Sequence, residues 1–262
     1  MDHTPPAPGL TEPQVTAYLD RIGAPRPARP DAQALAALQS AHLLAVPFEN
    51  LSIHLDEPVR LDLDLLLEKI VGRRRGGFCY ELNGAFAELL RALGYRVTLH
   101  SARVFAGERP GPPQDHLALL VDLGEPWLVD VGFGRFSKLP LRLDERGEQP
   151  DPCGVFTVRP HGEEVDVLLD GTPQYRLDLR PYRLTDFVPT CWWQTTSPDS
   201  HFTRSPTCSL LTEDGRVTIS GTRLIRTTAV DGRTERVLGA DEALAAYREL
   251  FGIVLDRLPA KH

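Results

Sequence analysis

Three residues of this chain have the types and surroundings that acyl transfer needs: Cys79, His116 and Asp130. Cys79 lies in the run Arg73-Arg74-Arg75-Gly76-Gly77-Phe78-Cys79-Tyr80-Glu81-Leu82-Asn83-Gly84, where a glycine-rich turn opens into a helix. A thiolate is a far better nucleophile than a thiol. Unpaired amides and the positive end of a helix dipole ease its formation, so this position predicts a reactive sulfur. The competing reading is a small buried apolar residue, the commoner fate of a cysteine. Backbone amides around Phe78 and Cys79 are candidate oxyanion donors on the same helix-start geometry.

His116 and Asp130 belong to two short apolar runs, His116 to Val121 and Trp127 to Val131, separated by the turn residues Asp122-Leu123-Gly124. The pair reads as a β-hairpin. Centred on Leu123, it sets His116 directly across from Asp130, with Cβ atoms about 5 Å apart. A charged Asp inside an apolar strand is costly without a partner, and His116 is the partner this register offers. A carboxylate that fixes the imidazole tautomer leaves the other ring nitrogen to take a proton from a thiol. Each residue alone has a bland reading as an ordinary polar group at a strand end. The conjunction is the specific signal.

The elements that must position these groups change period along the chain. Thr11-Glu12-Pro13-Gln14 predicts a capped helix start, with Val15, Leu19 and Ile22 on one face and Gly23 as the stop. A stiff link through Pro25, Pro27 and Pro30 follows. Asp31 caps a second helix carrying Leu35, Leu38 and His42, which reads as a packing or surface residue. A third helix runs from Asp62 to about Val71, and the fourth opens at Cys79 with Leu82, Phe86, Leu89 and Leu93 in helical spacing.

From about Tyr95 the period becomes two, in strands at 96–104, 116–121, 127–131, 155–158, 165–169 and 174–179. These suggest an antiparallel barrel or open sheet. The stretch from Phe187 to Ser205 has little periodicity and reads as a connecting segment, with Trp192 and Trp193 as core anchors. Further strands at 216–219 and 222–225 precede a last helix from Asp241, as its cap, to Phe251. The expectation is an α+β fold in three lobes: a helical bundle over 1–94, an antiparallel β-barrel with its connecting segment over 95–205, and an α/β lid over 206–262. The site falls at a junction of lobes, a usual place for a cleft.

Composition limits the partners. The 262 residues carry a net charge of −7, which argues against nucleic-acid binding. The apolar runs are too short for a membrane span. The leading residues Met1 to Gly9 read as a flexible arm without secretory features, which predicts a cytoplasmic protein. Cys79, Cys153, Cys191 and Cys208 show no Cys-x-x-Cys spacing, so free thiols and no metal are expected. The run Arg73 to Arg75 reads as a solvated basic turn.

The chain resembles the arylamine N-acetyltransferases. The resemblance runs through Pro47-Phe48-Glu49-Asn50-Leu51, the block from Arg74 to Glu81, His116-Leu117, and Val129-Asp130-Val131-Gly132-Phe133-Gly134, in matching order and spacing. It implies Cys79 as the acetyl-accepting nucleophile, His116 as its base and Asp130 as the residue orienting that base. It also implies an aromatic acceptor pocket of Phe48, Phe133 and Phe202, a backbone contact from Gly134 to a pantetheine arm, and acetyl-CoA as co-substrate. The expected reaction is a ping-pong transfer of an acetyl group through a Cys79 thioester to the nitrogen of an arylamine or arylhydrazine. The same architecture serves amide synthases that release carrier-bound polyketide chains as macrolactams, and a catalytically silent binding module would keep the fold too. One departure stands out: Asp115 occupies a position where the family often has a small hydroxyl residue near the pantetheine arm.

Overall fold

The computed structural model describes residues 9–260. The leading arm therefore lies, but for Gly9, outside the described residues. Helix α1 (Glu12–Ile22) starts with Thr11 and Gln14, whose side-chain oxygen accepts from the Thr11 amide at 2.8 Å, and it stops at Gly23 in the left-handed region. Helix α2 (Ala32–Ala45) is capped by Asp31, which accepts from the Ala34 amide at 2.9 Å. Strand β1 (Phe48–Glu49) and the single turn α3 (Leu51–His54) come next. Helix α4 (Leu63–Leu67) then widens into a π-helical turn over Glu68–Gly72. That wide turn leaves carbonyls unspent within the segment: Lys69 O accepts from the Arg75 amide, and Ile70 O from Arg21 Nε. Helix α5 (Cys79–Ala92) completes the bundle, and its residues from Cys79 to Ala87 are all buried.

The middle of the chain forms one antiparallel sheet from β2 (Arg96–Ala106), β3 (Arg109–Pro110), β4 (His116–Asp122), β5 (Pro126–Val129), β6 (Leu141–Arg142), β7 (Gln149–Asp151), β8 (Gly154–His161), β9 (Glu164–Leu169) and β10 (Thr172–Tyr182). The strand order is β6-β5-β4-β2-β10-β9-β8-β7, with β3 paired to β2. Its two ends meet through one side chain: Gln149 on β7 accepts from the Arg142 amide at 2.7 Å and donates to the Arg142 carbonyl at 2.9 Å. A carboxamide thus stands in for the missing ladder and nearly closes a barrel, covering two edges that would otherwise be open. Phe136, Phe156, Val167, Tyr175 and Leu177 fill its interior.

A second sheet takes the order β1-β11-β12-β13-β14, from β11 (Thr207–Thr212), β12 (Gly215–Ser220), β13 (Arg223–Thr228) and β14 (Gly232–Val237). Its edge strand β1 comes from near the start of the chain, with Phe48 opposite Ser209 and Glu49 opposite Cys208. Between the sheets, residues 187–205 contain helix α6 (Val188–Thr196) and a 3₁₀ turn at His201–Thr203. Helix α7 (Ala240–Phe251) packs Ala243, Tyr247 and Phe251 on the second sheet.

Several expectations need correction. The connecting segment is largely helical, since Pro189 sits in the first turn of α6, where a missing amide hydrogen costs nothing. Trp192 and Trp193 are not core anchors; they are 67% and 40% exposed on that short helix. The cap of α7 is Gly239 instead of Asp241, which lies inside the first turn and complements the dipole there. The β4–β5 hairpin is centred on Gly124, pairing Leu119 with Val129 and Asp122 with Pro126. Relative to a turn centred on Leu123 the register slips by an even number, so side-chain faces are unchanged. Asp130 lies just past the end of β5 and meets His116 on the diagonal of the hairpin. No helix of the described residues is long and apolar enough to cross a membrane.

Candidate active site

The loop before α5 is held by close backbone approach. A Cβ on Gly76 would lie 1.8 Å from the Pro47 carbonyl oxygen, so only glycine fits, and the Glu49 amide donates to Gly77 O at 2.8 Å. Two buried ion pairs flank this loop. Arg75 Nε donates to Glu49 at 2.9 Å, and Lys69 Nζ to Glu81 at 2.6 Å. Burial opposes ionisation of Glu49, but the Lys69 and Arg75 charges prevail and hold its carboxyl below the usual range. Arg75 is thus a buried structural cation; of the predicted basic turn, only Arg73 and Arg74 are exposed. The second oxygen of Glu81 takes the Phe78 amide at 3.2 Å, which removes Phe78 from the candidate oxyanion donors.

Cys79 opens α5 and is 3% exposed. Its thiol is pushed well above the ordinary value by burial, an effect that the Leu117 amide facing the sulfur only partly offsets and that nearby Asp130 reinforces. The expected easing of ionisation at the helix start is therefore overridden by desolvation. Burial thus favours the protonated thiol at this position.

His116 Nε2 lies 2.6 Å from Asp130 Oδ2, both side chains being buried. That contact places the ring hydrogen on Nε2 and leaves the lone pair on Nδ1. The Asp130 carboxylate is itself fixed: Oδ1 accepts from Asn83 Nδ2 and from the Gly132 amide, each at 2.9 Å. Asn83 also donates to Leu117 O at 2.6 Å and accepts from the Val131 amide at 2.9 Å. One carboxamide thus ties α5, β4 and the strand exit together. The imidazole is packed by Tyr175, with ring centroids 5.3 Å apart, and by the edge-on ring of Phe133 at 5.1 Å. Burial and the facing Asp130 raise the Tyr175 phenol, whose hydroxyl lies toward that carboxylate without closing a hydrogen bond. Gly132 is required by packing, because a Cβ there would sit 2.6 Å from Cys79 Cα.

Cys79 and His116 open together onto a cavity of about 320 Å³, lined also by Phe48, Phe133, Phe202 and Asp115. The three phenylalanines taken from the sequence therefore share one space with the cysteine. Gly134 is not among the lining residues: it stands behind Phe48, where a Cβ would meet the phenyl ring at 3.5 Å. Phe202 is anchored through its carbonyl, which accepts from Asn50 Nδ2 at 2.8 Å.

Sequence reasoning assigned no role to Asn83, Tyr175 or Gln194. Asn83 had a signal, since it follows Cys79 by one helical turn and so shares its face. Tyr175 and Gln194 come from distant strands and helices, and their spacing carried none. All four cysteines are free thiols, and among the described residues no cluster of His, Cys, Asp or Glu has the arrangement of a metal site.

The sequence profile of the N-acetyltransferase family matches residues 31–259. The chain is similar to the arylamine N-acetyltransferase of Mycolicibacterium smegmatis, 35% identical over 260 residues covering 93% of each chain. It is likewise 34% identical over 218 residues to the arylamine N-acetyltransferase / N-hydroxyarylamine O-acetyltransferase of Salmonella typhimurium, covering 80% of this chain and 78% of that one. Among solved structures, the arylamine N-acetyltransferase from Salmonella typhimurium superposes with a TM-score of 0.88 at 30% identity, over 93% of this chain and 92% of that one. The Mycobacterium marinum enzyme in complex with CoA gives 0.84 at 31% identity, over 91% and 92%. Fold, length and sequence agree, and the chain belongs to the arylamine N-acetyltransferase family.

Proposed function

We propose that this protein transfers an acetyl group from acetyl-CoA to an aromatic amine or hydrazine by a two-step mechanism centred on Cys79, His116 and Asp130. The observation that carries the reading is the 2.6 Å contact between His116 and Asp130 at the wall of the cavity onto which Cys79 opens. The family relation and the CoA complex of the Mycobacterium marinum relative support the donor. In this reading the protein is cytoplasmic, and its three lobes divide at 94/95 and 205/206, with the nucleophile on the first and the base and its orienter on the second.

His116 Nδ1 removes the Cys79 proton as the sulfur attacks the thioester carbonyl, so charge appears on sulfur only when it is consumed. The imidazolium, stabilised by Asp130, returns that proton to the departing thiolate of CoA. Cys79 then holds the acetyl group as a thioester, and exchange between two thioesters is nearly balanced in energy. An acceptor amine attacks the acetyl carbonyl of the Cys79 thioester, His116 takes the proton from nitrogen, the C–S bond breaks to release the amide, and the proton returns to sulfur. Phe48, Phe133 and Phe202 offer flat apolar walls to the acceptor ring. Gly134 supports Phe48 from behind, and we assign it a backbone contact with the pantetheine arm. The donor enters as a substrate, and no step requires a metal.

Intact-mass measurement after incubation with acetyl-CoA tests the reading. One acetyl adduct that maps to Cys79, is absent from Cys79→Ser and discharges to an arylamine is expected. Absence of the adduct, with turnover of a carrier-bound chain mimic, would favour the amide-synthase alternative. An inert Cys79 toward every acyl donor would leave a silent binding module.

A further inference from the structure

The cavity beside Cys79 has an uneven charge. Among the described residues no lysine or arginine lines it, and Asp115 is the one carboxylate in its wall. This carboxylate is built in place by a relay from α6. Gln194 Nε2 donates to Asp115 Oδ1 at 2.8 Å, and Ser200 Oγ donates to Gln194 Oε1 at 2.7 Å. Gln194 and Ser200 are 2% and 1% exposed. The backbone is fixed as well, since the Tyr80 hydroxyl donates to Asp115 O at 3.2 Å. The neighbouring His201 is held toward its neutral form by burial, and together with His116 it offsets the effect of burial on Asp115 only in part. Burial likewise raises the Asp115 carboxyl, which is the behaviour of an acid lacking a full cationic partner.

A carboxylate held by the Gln194 side chain and the Val104 amide, each of whose oxygens can accept more than one hydrogen, keeps capacity for a further donor group. Sharing the cavity wall with it are Phe48, Phe133 and Phe202, aromatic rings of the kind that pack on a flat ring and attract a cation. We infer that Asp115 sets acceptor specificity: the cavity takes aromatic amines and hydrazines bearing a cationic or hydrogen-bond-donating substituent and rejects those bearing a carboxylate. The inference rests on the acetyltransferase reading for the identity of the occupant, and the position of the charge is independent of it.

Three inert probes of one shape isolate charge from nucleophilicity: benzamidine, benzamide and benzoate. Their binding to the full chain is measured by calorimetry and, separately, as competitive inhibition against an arylamine acceptor. Benzamidine is expected to bind about tenfold or more tightly than benzoate, with benzamide between them. In Asp115→Asn that ratio should collapse toward unity in a protein whose circular dichroism shows it folded, and Asp115→Ser provides a second test should the first variant fold poorly. Equal or reversed affinities in the native protein, no measurable binding of any probe, or a ratio unchanged by either substitution would overturn the inference. Failure of the acetyltransferase reading has a different signature, namely no adduct at Cys79 while the calorimetric order of the probes stands.

Discussion

Helix α5 carries two buried polar clusters that solve the problem of burial in opposite ways. At one, Arg75 meets Glu49 and Lys69 meets Glu81, so each charge has a counter-charge and the remaining carboxylate oxygens take the Leu51 and Phe78 amides. At the other, Cys79 faces no cation, its ionisation is suppressed by burial, and Asp130 is held by a carboxamide, an amide and an imidazole. The first cluster is satisfied at rest and can only be damaged. The second leaves its thiol without a counter-charge, which in the proposed mechanism keeps it unreactive until a substrate arrives. A rigid, fully paired frame and a restrained reactive group are thus placed within one turn of the same helix, and the frame's function is to fix the loop that presents the sulfur.

The largest expected effect tests the reactive cluster. Asp130→Asn keeps an oxygen for Asn83 and Gly132 but places an amide where the His116 hydrogen points, so turnover should fall by roughly 10³- to 10⁴-fold at nearly unchanged melting temperature. Equal loss of folding and activity would mean that Asp130 belongs with the structural frame. The converse test is Lys69→Met, which strands Glu81 in the interior and should destabilise the protein by about 3–5 kcal/mol in urea titration, with the surviving folded fraction still acetylated at Cys79.

Gly132→Ala sits between the two behaviours. A methyl group 2.6 Å from Cys79 Cα forces the nucleophile and base apart, and about 100-fold loss of kcat is expected, with less effect on KM. The smallest effect concerns His42, buried against Tyr18 and Phe86 in the bundle below α5. Burial, aided by the Arg21 charge, lowers its pKa to about 3 from 6.5. The unfolded chain therefore binds a proton before the folded one does. Its contribution is complete above pH 6.5 and is lost as pH falls toward 3, with a slope of up to about 1.4 kcal/mol per unit. His42→Phe should flatten this part of the stability profile in denaturant titrations run across that range.

How far the sequence spoke for the structure depended on how local each cause was. Thr11 with Gln14, Asp31 and Gly252 act within one helical turn, and those ends lie where periodicity and capping put them. The strand positions of the barrel followed from alternation, but its closure depends on Gln149 reaching Arg142, a polar contact with no pattern to betray it. The hairpin centre depended on whether Leu123 or Gly124 takes the turn, and Gly124, at φ +98°, accommodates what Leu123 would resist. The glycine turn and the hairpin pointed to Cys79, His116 and Asp130 and the family resemblance gave them roles; packing of remote elements supplied Asn83, Tyr175 and the relay to Asp115. Trp192 and Trp193 misled because aromatic residues usually signal a core, whereas here they sit on the outward side of a short helix.

The pairing of Phe48 and Glu49 with β11 has a consequence for biosynthesis. A ribosome emits the partner strand roughly 160 residues after β1, a delay of about ten to thirty seconds at ordinary elongation rates. Through that interval the Pro47 to Glu49 segment lacks β11, and its available partner is the Gly77 loop. The crevice wall supplied by Phe202 and Thr207 has yet to be translated, so the cavity beside Cys79 is completed only once residues 202–207 have emerged.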